Sequence, residues 1–258
     1  MSPLFGVVVA ACSFHVPPAA NDLDAAAGDS AADAPADAGD DAAPRAFCPP
    51  DAALPLCLSF DQAPLPAALA NEGRAAVSAK LVNVQQTASP EGNAVVVGAT
   101  STISLPFSAD VTGVLSSEVW FRIDSDAADG ARAGILDSNV IPPNISMFWN
   151  HSGAAHQLTC GLGNQASVFT VTVALGAWTY AACTCDAGTV TLYLDGAPVS
   201  IAAGDCGAGG AFVGDGLTIG SNNTGAGQPV NDNLVGAIDG VRLWTRVLSP
   251  SEIAAAAN

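Results

Sequence analysis

The chain has 258 residues and a formal net charge of −17 at neutral pH, with seven Lys and Arg against twenty-four Asp and Glu. A surface of this sign repels phosphate backbones, which argues against a nucleic-acid-binding protein. Half of the residues are apolar, so the chain can bury a full-sized core. A β-sandwich of roughly 200–250 residues would fit within this length as a single domain.

The N-terminus carries a predicted export signal. Residues 1–11 are apolar and end in small residues, and Cys12 follows directly. The sequence VAAC at 9–12 resembles the bacterial lipobox, in which the cysteine is lipidated and becomes the first mature residue. We therefore expect an outer-membrane or cell-surface lipoprotein of a Gram-negative-type bacterium, alternatively a secreted protein. Because the segment is short and lacks a Lys or Arg, an apolar tail beside a chance cysteine stays open as another interpretation.

Residues 12–47 are predicted to form a disordered acidic tether. Residues 21–46 are nearly all Ala, Asp, Pro and Gly, with seven Asp against one Arg. Such a composition cannot bury enough apolar surface to offset the entropy of ordering, and like charges keep the segment extended. A calcium-binding acidic tail is disfavoured because the ligands do not alternate in a fixed pattern. No later apolar run approaches the roughly 18 residues of a membrane span, so the lipid is the only expected membrane contact.

From Cys48 to residue 258 the sequence has the texture of one all-β domain. Twelve strand-like runs are separated by clusters of Gly, Asn, Asp and Pro, which is typical of a sandwich or barrel. The predicted strands cover residues 56–60, 94–97, 101–105, 114–123, 133–136, 145–149, 157–161, 167–173, 178–185, 189–194, 217–219 and 236–246. This number of elements predicts two packed antiparallel sheets.

Two turns and one helix have clear local signals. The segments 186–188 and 195–196 each place Gly shortly after Asp, which predicts β-hairpin turns. Near the C-terminus, Ser249 is a predicted N-cap, Pro250 occupies the first helical position and Glu252 lies in the first turn before an alanine run. We therefore expect a short C-terminal helix after the last strand.

Several segments together are similar to LamG-like domains of the concanavalin A-like lectin/glucanase superfamily. The sequence WTYAACTCD at 178–186, followed by LYLDG at 192–196, resembles the family pattern W-x-x-V-A-x-T-x-D…L-Y-x-D-G. The segment 236–253 resembles G-x-I-D-x-V-R-x-W-x-R-x-L-S-x-x-E-I. Shorter matches are LTIG at 217–220, LCLSFD at 56–61 and VWFRI at 119–123. The resemblance implies a two-sheet antiparallel jelly-roll sandwich across residues 48–258.

The six cysteines that follow Cys12 indicate disulfide bonds, since an even number in an exported chain is typical of them. We predict the pairs Cys48–Cys57, Cys160–Cys183 and Cys185–Cys206. The second pair is expected on antiparallel neighbouring strands, and the third across a hairpin. An exchange of Cys183 and Cys185 stays open, because residues two apart point the same way from one strand. Their spacing is poor for zinc.

One structural Ca²⁺ is the cofactor that the resemblance implies. Asp239 lies between apolar neighbours in the last long strand, where an ionised carboxylate needs a partner. The matching aspartate in related jelly rolls often binds calcium, so Asp239 is the best candidate ligand, and Asp61 at the end of the first strand could lie near it. The alternative is an aspartate that accepts backbone amides at a strand bend.

The sequence argues against an enzyme. Related laminarinase-type hydrolases use a strand motif resembling E-x-D-x-x-E, and retaining cleavage needs two carboxylates about 5 Å apart. Of the four glutamates only Glu118 falls on a convincing strand, without a partner carboxylate at that spacing. His151 and His156 occur in a Gly-containing segment, which we interpret as a loop with solvent-exposed histidines. No G-x-S-x-G motif supports a catalytic serine.

The candidate ligand-binding residues are Trp149, Asn150, His151 and Asn139, and the polar loop 221–224 is a further candidate. An aromatic ring next to amide and imidazole groups is the mixture that a sugar-binding face needs; ordinary polar loops are the alternative. We therefore expect a non-catalytic, lipid-anchored protein that binds glycans or an extracellular protein. The alternatives are a structural envelope or matrix protein without a small ligand and, more distantly, an unfamiliar glycoside hydrolase.

Overall fold

The computed structural model describes residues 47–139, 142–212, 214, 216–225 and 228–258. The predicted signal, the lipidation site Cys12 and the tether up to residue 46 lie outside the described residues. Within the described residues, no helix has the length and apolarity needed to span a membrane.

The described part of the chain forms sixteen strands and one short helix. In chain order they are β1 (Leu56–Leu58), β2 (Ala68–Ala70), β3 (Ser78–Val82), β4 (Gln85–Ser89), β5 (Gly92–Val97), β6 (Thr102–Leu105), β7 (Ser116–Ser125), β8 (Arg132–Asp137), β9 (Asn144–Ser152), β10 (Ala155–Gly163), β11 (Ala166–Val171), β12 (Trp178–Asp186), β13 (Thr189–Leu194), β14 (Ala197–Ala203), β15 (Leu217–Ile219), β16 (Val235–Trp244) and α1 (Pro250–Ala256).

The strands form two eight-stranded antiparallel sheets, as the sequence predicts. The first sheet has the order β14-β13-β12-β7-β16-β5-β4, with β1 also paired to β16. The second sheet has the order β11-β10-β9-β8-β15-β6-β3-β2. The predicted hairpin turns are confirmed: Ala187-Gly188 connects β12 to β13, Asp195-Gly196 connects β13 to β14, and all four residues have positive φ.

The main hydrophobic core lies between the two sheets because successive strand residues point to opposite faces. In β7, Val119, Phe121 and Ile123 are buried in this core, while Trp120 belongs to a second apolar cluster on the other face. The predicted C-terminal helix is confirmed, with a capping box in which Ser249 and Glu252 bond reciprocally.

The second apolar cluster covers the outer face of the first sheet. Trp244 and Tyr180 from the sheet pack with Ile253 and Ala256 of α1 and with Leu54 from the segment before β1. These side chains are buried. The helix and the N-terminal segment therefore cover this part of the face, which is why β7, β12 and β16 are buried on both sides.

The structure contains the three predicted disulfides, Cys48–Cys57, Cys160–Cys183 and Cys185–Cys206. The expectation that Cys160 and Cys183 lie on neighbouring strands of one sheet is wrong, because β10 belongs to the second sheet and β12 to the first. Cys160 and Cys183 are therefore partners across the core, both in the central cluster, and the bond joins the two layers. Cys185 faces the same core, as its two-residue spacing from Cys183 predicts.

Four of the described strands are not predicted from the sequence, namely β2, β3, β4 and β14. β4 has the sequence QQTAS without a buried residue, and β14 likewise has none. β4, β2 and β14 each lie at an edge of a sheet. Because β4 and β14 bury no side chain, the alternation that identifies a half-buried strand is missing from them. β2 and β3 do alternate, but they are only three and five residues long.

Candidate functional site

A polar groove lies on the outer face of the second sheet. Its volume is about 220 Å³. Strands β8, β9, β10 and β11 supply the lining residues, which are Arg132, Asp137, Asn144, Ser146, Phe148, Asn150, Thr159 and Ala166. We call these eight residues the sheet groove.

The alternation of β9 explains why polar groups gather here. Asn144, Ser146, Phe148 and Asn150 line the sheet groove, whereas the intervening Ile145, Met147 and Trp149 are buried in the core between the sheets. A strand at this position must offer one apolar face to the core, and its other face is free to carry amides and hydroxyls.

Arg132 forms one wall of the sheet groove. Its guanidinium lies 4.3 Å from the centroid of the Phe148 ring, close enough for a cation–π contact. Arg132 Nε donates to Asp232 Oδ2 at 2.8 Å, and Nη2 donates to Asn222 Oδ1 at 3.3 Å. These contacts hold the planar guanidinium against the groove and connect it to the polar loop 221–224.

The amide groups of the groove have different hydrogen-bond partners. Asn150 Nδ2 donates to Thr159 Oγ1 at 2.8 Å. By contrast, Asn144 Oδ1 is buried and has no hydrogen-bond partner among the described residues. Gly161 leaves room beneath these groups, since a Cβ there would lie 2.4 Å from Ser146 Oγ and 3.1 Å from Asn144 Oδ1. The groove thus contains an acceptor whose partner must come from outside the described protein atoms.

Asp137 closes one end of the sheet groove and is almost fully buried. It accepts the backbone N–H of Asn139 at 3.1 Å and that of Asn223 at 2.8 Å. Burial raises the pKa of Asp137 to about 6, and the two backbone hydrogen bonds oppose this shift. The predicted ligand residue Asn139 therefore contacts the site through its backbone, in a positive-φ conformation.

The four predicted ligand residues do not share one face. Asn150 lines the sheet groove, but Trp149 has no exposed surface and lies in the core. His151 follows on the same side as Trp149, at the end of β9. Three successive strand residues cannot present their side chains to one ligand. Phe148, rather than Trp149, is the aromatic residue beside Asn150 in the groove.

The interpretation of His151 and His156 as solvent-exposed loop residues is wrong. His151 lies on β9 and His156 on β10, directly opposite each other in the antiparallel register. Both side chains are mostly buried, with exposures of 24% and 28%. They meet Asp126, which lies just after β7 and which the sequence analysis did not identify. No local pattern connects a loop aspartate with histidines 25 and 30 positions later.

The two predicted calcium ligands lie in the neighbourhood of the β4–β5 hairpin. Asp239 is buried at a bulge in β16, where it accepts the N–H of Gly240 at 2.7 Å and the hydroxyl of Ser89 at 2.5 Å. Asp61 Oδ1 accepts the N–H of Asn93 at 2.8 Å. Burial raises the pKa of Asp239 to about 7, and the nearby carboxylates of Asp61 and Glu91 contribute. Backbone-amide capping at a bend, the alternative interpretation of Asp239, is therefore present.

Glu118 is part of the buried second cluster. It accepts hydrogen bonds from the Tyr180 hydroxyl and, at 2.5 Å, from Trp244 Nε1. Arg242 Nε lies 3.2 Å from its second oxygen, and the two side chains are only 3% and 2% exposed. This arrangement stabilises a charge inside an aromatic layer and leaves Glu118 no access to a substrate.

Three larger depressions carry weaker chemistry. One, of about 530 Å³, lies between the first sheet and α1, where Ser249 and Glu252 already bond each other in the capping box. A second, of about 550 Å³, lies beside β4 and β5 and is lined by no aromatic or charged side chain. The third, of about 320 Å³, lies at the segment before β1, and its charged side chains already bond other protein groups. The sheet groove is smaller, but it combines an aromatic ring, a fixed cation and an unpaired amide oxygen.

Comparison with protein families finds a match over residues 97–254 to a family model described as the concanavalin A-like lectin/glucanases superfamily. The matched region includes β6 to β16 and the sheet groove. A comparison with curated protein sequences finds no match.

Solved structures with the same fold include several binding domains. Domain 4 of AbnA, an extracellular GH43 arabinanase from Geobacillus stearothermophilus, in complex with arabinotriose, has a TM-score of 0.57 at 18% identity, covering 80% of this chain and 98% of that one. The binding domain of botulinum neurotoxin DC in complex with SialylT has a TM-score of 0.56 at 13% identity, covering 80% of this chain and 51% of that one.

A Trypanosoma rangeli sialidase in complex with sialic acid has a TM-score of 0.55 at 16% identity, covering 79% of this chain and 32% of that one. The chain therefore spans about half of the toxin binding domain and a third of the sialidase. At these identities the likeness shows the jelly-roll fold alone.

Proposed function

Since the chain belongs to the concanavalin A-like lectin/glucanases superfamily, we propose that it is a non-catalytic glycan-binding protein whose recognition surface is the sheet groove. A sugar presents hydroxyl groups around apolar ring faces. The groove offers amide and hydroxyl groups from Asn144, Ser146, Asn150 and Thr159 beside the Phe148 ring. This mixture is what a sugar-binding site requires.

The unpaired Asn144 Oδ1 carries the proposal. Buried polar atoms in folded proteins almost always have a hydrogen-bond partner, and leaving one without costs about 1–3 kcal/mol. Asn144 lines the sheet groove, and its Oδ1 is buried without a partner among the described protein atoms. We expect a sugar hydroxyl to donate to Oδ1 once the neighbouring side chains shift to admit it.

The size and charge of the groove narrow the class of glycan. At about 220 Å³ it is below the roughly 300–1,000 Å³ of pockets for drug-sized ligands. It therefore suits one or two units of a longer chain that lies across the sheet. Arg132 is already paired with Asp232, so a neutral sugar is favoured over an anionic one.

The names of two structural neighbours support a glycan. One binds arabinotriose and another binds SialylT. The second proposed class is a structural envelope or matrix protein without a small ligand. Such a protein would offer no ligand hydroxyl as a hydrogen-bond donor for Asn144 Oδ1. Hydrolysis by Glu118 is disfavoured because its carboxylate is buried and bonded on both oxygens.

Export supports the same role. Three disulfides form and persist in oxidising compartments, so an extracellular ligand is expected.

We further propose that the chain is anchored through a lipid on Cys12 and that residues 12–47 act as its spacer. Metabolic labelling with a radioactive fatty acid would test the anchor: incorporation is expected in the wild type and not in a Cys12→Ala variant.

One structural Ca²⁺ near Asp61 and Asp239 is a separate proposal. The donors are hard carboxylate oxygens, the type that Ca²⁺ prefers. Burial raises the pKa of the nearby Glu91 carboxyl as well, against the opposing effects of Arg242 and Trp120. Its Oε2 atom is buried without a hydrogen-bond partner among the described residues. A bound cation would stabilise the ionised carboxylates of Asp61, Asp239 and Glu91. We expect Ca²⁺ to raise the melting temperature of the wild type and not that of Asp239→Asn; equal shifts in both would exclude this site.

Binding of the full chain to a glycan array, followed by calorimetry with the best ligand, tests the proposed function. We expect Asn144→Ala and Asn150→Ala each to weaken binding by about tenfold, the effect of one lost hydrogen bond of about 1.4 kcal/mol. Thr191→Ala, on the outer face of the first sheet, is the control and should bind like the wild type. An array without any binding, or equal affinities in all variants, would contradict the proposal.

A further inference from the structure

The end of the β9–β10 hairpin brings together three side chains that the proposed function does not use. His151 and His156 are opposite each other across the two strands, with ring centroids 5.0 Å apart. Asp126 reaches both from the loop after β7: its Oδ2 lies 2.7 Å from His156 Nε2 and 3.4 Å from His151 Nδ1. Among the described residues, these three alone bring three ligand atoms of His, Cys, Asp or Glu within 4.8 Å of one another.

We propose that Asp126, His151 and His156 form a binding site for a divalent transition-metal ion, with Zn²⁺ as the expected occupant. Two imidazoles and one carboxylate are the donor set of zinc sites that keep a further position for water. Calcium and magnesium prefer oxygen ligands throughout. The three side chains are 22–28% exposed, so an ion can reach them from solvent.

The two distances from Asp126 Oδ2 to the histidine nitrogens fit a tetrahedral ion with a small adjustment, and all three donor atoms lie within 4.8 Å of one another. Ligands about 2.0–2.1 Å from zinc lie about 3.4 Å apart in a tetrahedron. The separation of His151 Nδ1 and Asp126 Oδ2, at 3.4 Å, already has this value. The His156 Nε2 to Oδ2 distance of 2.7 Å must open by about 0.7 Å, which is the difference between a hydrogen bond and a pair of metal ligands.

Neighbouring groups orient the three ligands as the partners of metal ligands do. Trp149 Nε1 donates to Asp126 Oδ1 at 2.8 Å, which leaves Oδ2 for the ion. The Trp149 ring also stacks on His156 at 4.7 Å. His151 Nε2 lies 2.9 Å from the Gly153 carbonyl, and a hydrogen bond from Nε2–H would direct the lone pair of Nδ1 towards the ion. Metal-bound histidines almost always donate their second N–H in this way.

Backbone carbonyl groups lie beside both ring nitrogens of His151. His151 Nδ1 lies 2.8 Å from the Ala127 carbonyl oxygen, and Nε2 faces the Gly153 carbonyl, so both ring nitrogens have acceptors. The Ala127 carbonyl oxygen, 2.8 Å from Nδ1, can serve as an additional ligand when zinc is bound. Because zinc and protons compete for imidazole nitrogens, binding should release protons and weaken as the pH falls.

Calorimetry of the full chain, without a histidine tag and after treatment with EDTA, tests the site. We expect saturable binding of one Zn²⁺ per chain, with heats that depend on the buffer because protons are released. His156→Gln and Asp126→Asn should each weaken binding by at least about tenfold, and Trp149→Phe by about tenfold through loss of its hydrogen bond to Asp126. His15→Gln removes the third histidine of the chain and should leave the affinity unchanged.

A second measurement on the unmodified protein avoids effects of the variants on folding. In ring-selective nuclear magnetic resonance spectra, Zn²⁺ should shift the signals of two histidines and leave those of the third unchanged. Absence of saturable binding, unchanged affinity in His156→Gln and Asp126→Asn, or loss of binding in His15→Gln would each overturn the proposal.

Discussion

The two sheets of the sandwich use their outer faces in opposite ways. On the first sheet, α1 and the segment before β1 cover a layer of aromatic residues around Glu118. On the second sheet, the corresponding face carries the sheet groove, with amides, hydroxyls and Arg132. The same two-residue alternation produces both faces. Their difference lies in whether other parts of the chain cover them.

The comparison shows where a ligand can make new hydrogen bonds. Both oxygens of Glu118 already accept hydrogen bonds, from Tyr180 and Trp244, so its charge serves stability. In the sheet groove, Asn144 Oδ1 has no hydrogen-bond partner within the part of the chain that the structure describes. Charged groups inside a covered layer are therefore structural here, while neutral polar groups on the open face are available for recognition.

Breaking the buried ion pair of the first sheet should have the largest effect. Glu118→Ala removes the carboxylate that lies 3.2 Å from Arg242 Nε inside an apolar layer, and we expect a loss of about 3–5 kcal/mol in the free energy of unfolding. Asp124→Ala removes the more exposed pair with Arg122 and should cost less than about 1 kcal/mol. Urea unfolding of both variants measures the difference. Similar losses of stability would show that burial in the covered layer does not make the Glu118–Arg242 pair more important than the exposed pair.

Removing the bond between the two layers should have the next largest effect. The double variant Cys160→Ala/Cys183→Ala opens a disulfide with a sequence separation of 23, which should cost about 3.4 kcal/mol through the entropy of the unfolded chain. The shorter separation of 9 between Cys48 and Cys57 predicts a smaller loss of about 2.6 kcal/mol for that pair. Melting curves of the two double variants test this order, and a reversed order would contradict it.

The pH dependence of stability distinguishes buried from exposed acids. The pKa of Asp239, raised to about 7 by burial, means that the folded state keeps this proton to higher pH than the unfolded state. Stability should therefore decrease as the pH rises from about 4 to 7, by at most about 1.4 kcal/mol per pH unit for one proton. The pKa of Asp137 is also raised, to about 6, so this carboxyl further lowers stability as the pH rises.

Asp239→Asn should flatten this decrease, because the amide has no proton to lose. Asp110→Asn, at an exposed position, is the matched control and removes the same charge while keeping the wild-type slope. Urea unfolding at four or five pH values between 4 and 8 gives both slopes. An unchanged slope in Asp239→Asn would show that the buried carboxyl does not titrate in this range.

Filling the sheet groove should weaken binding with little loss of stability. Gly161→Ala places a methyl group against Ser146 Oγ and Asn144 Oδ1, so we expect about tenfold weaker glycan binding and a stability change within about 1 kcal/mol. Gly98→Ala has open space around its new Cβ and should bind normally. Equal affinities in the two variants would place the ligand elsewhere.

Much of the fold follows from the sequence because it depends on local patterns. Strands such as β7 and β16 carry long apolar runs, the turns carry Gly at positive-φ positions, and Ser249 begins the helix as a cap. β2, β4 and β14 were missed because edge strands of this fold bury few or no side chains. The pairing of Cys160 with Cys183 was correct although the two strands belong to different sheets, since facing strands of a sandwich also bring residues close.

The candidate site was predicted less well, for geometric reasons. Trp149, Asn150 and His151 are adjacent in sequence, but a strand sends their side chains to alternate faces. The groove partners of Asn150 come from β8, β10 and β11, and Asp126 meets the histidines from another sheet's loop. These contacts depend on the register of β9 and β10, which the sequence pattern alone does not fix.

Hydrogen exchange with and without the best-binding glycan tests the central claim most directly. The account predicts that the ligand slows amide exchange in β9 and β10, around Asn144–Ser152 and Ala155–Gly163, and leaves α1 and β12 unchanged. Protection of α1 and β12 without an effect on β9 and β10 would contradict recognition by the open face of the second sheet.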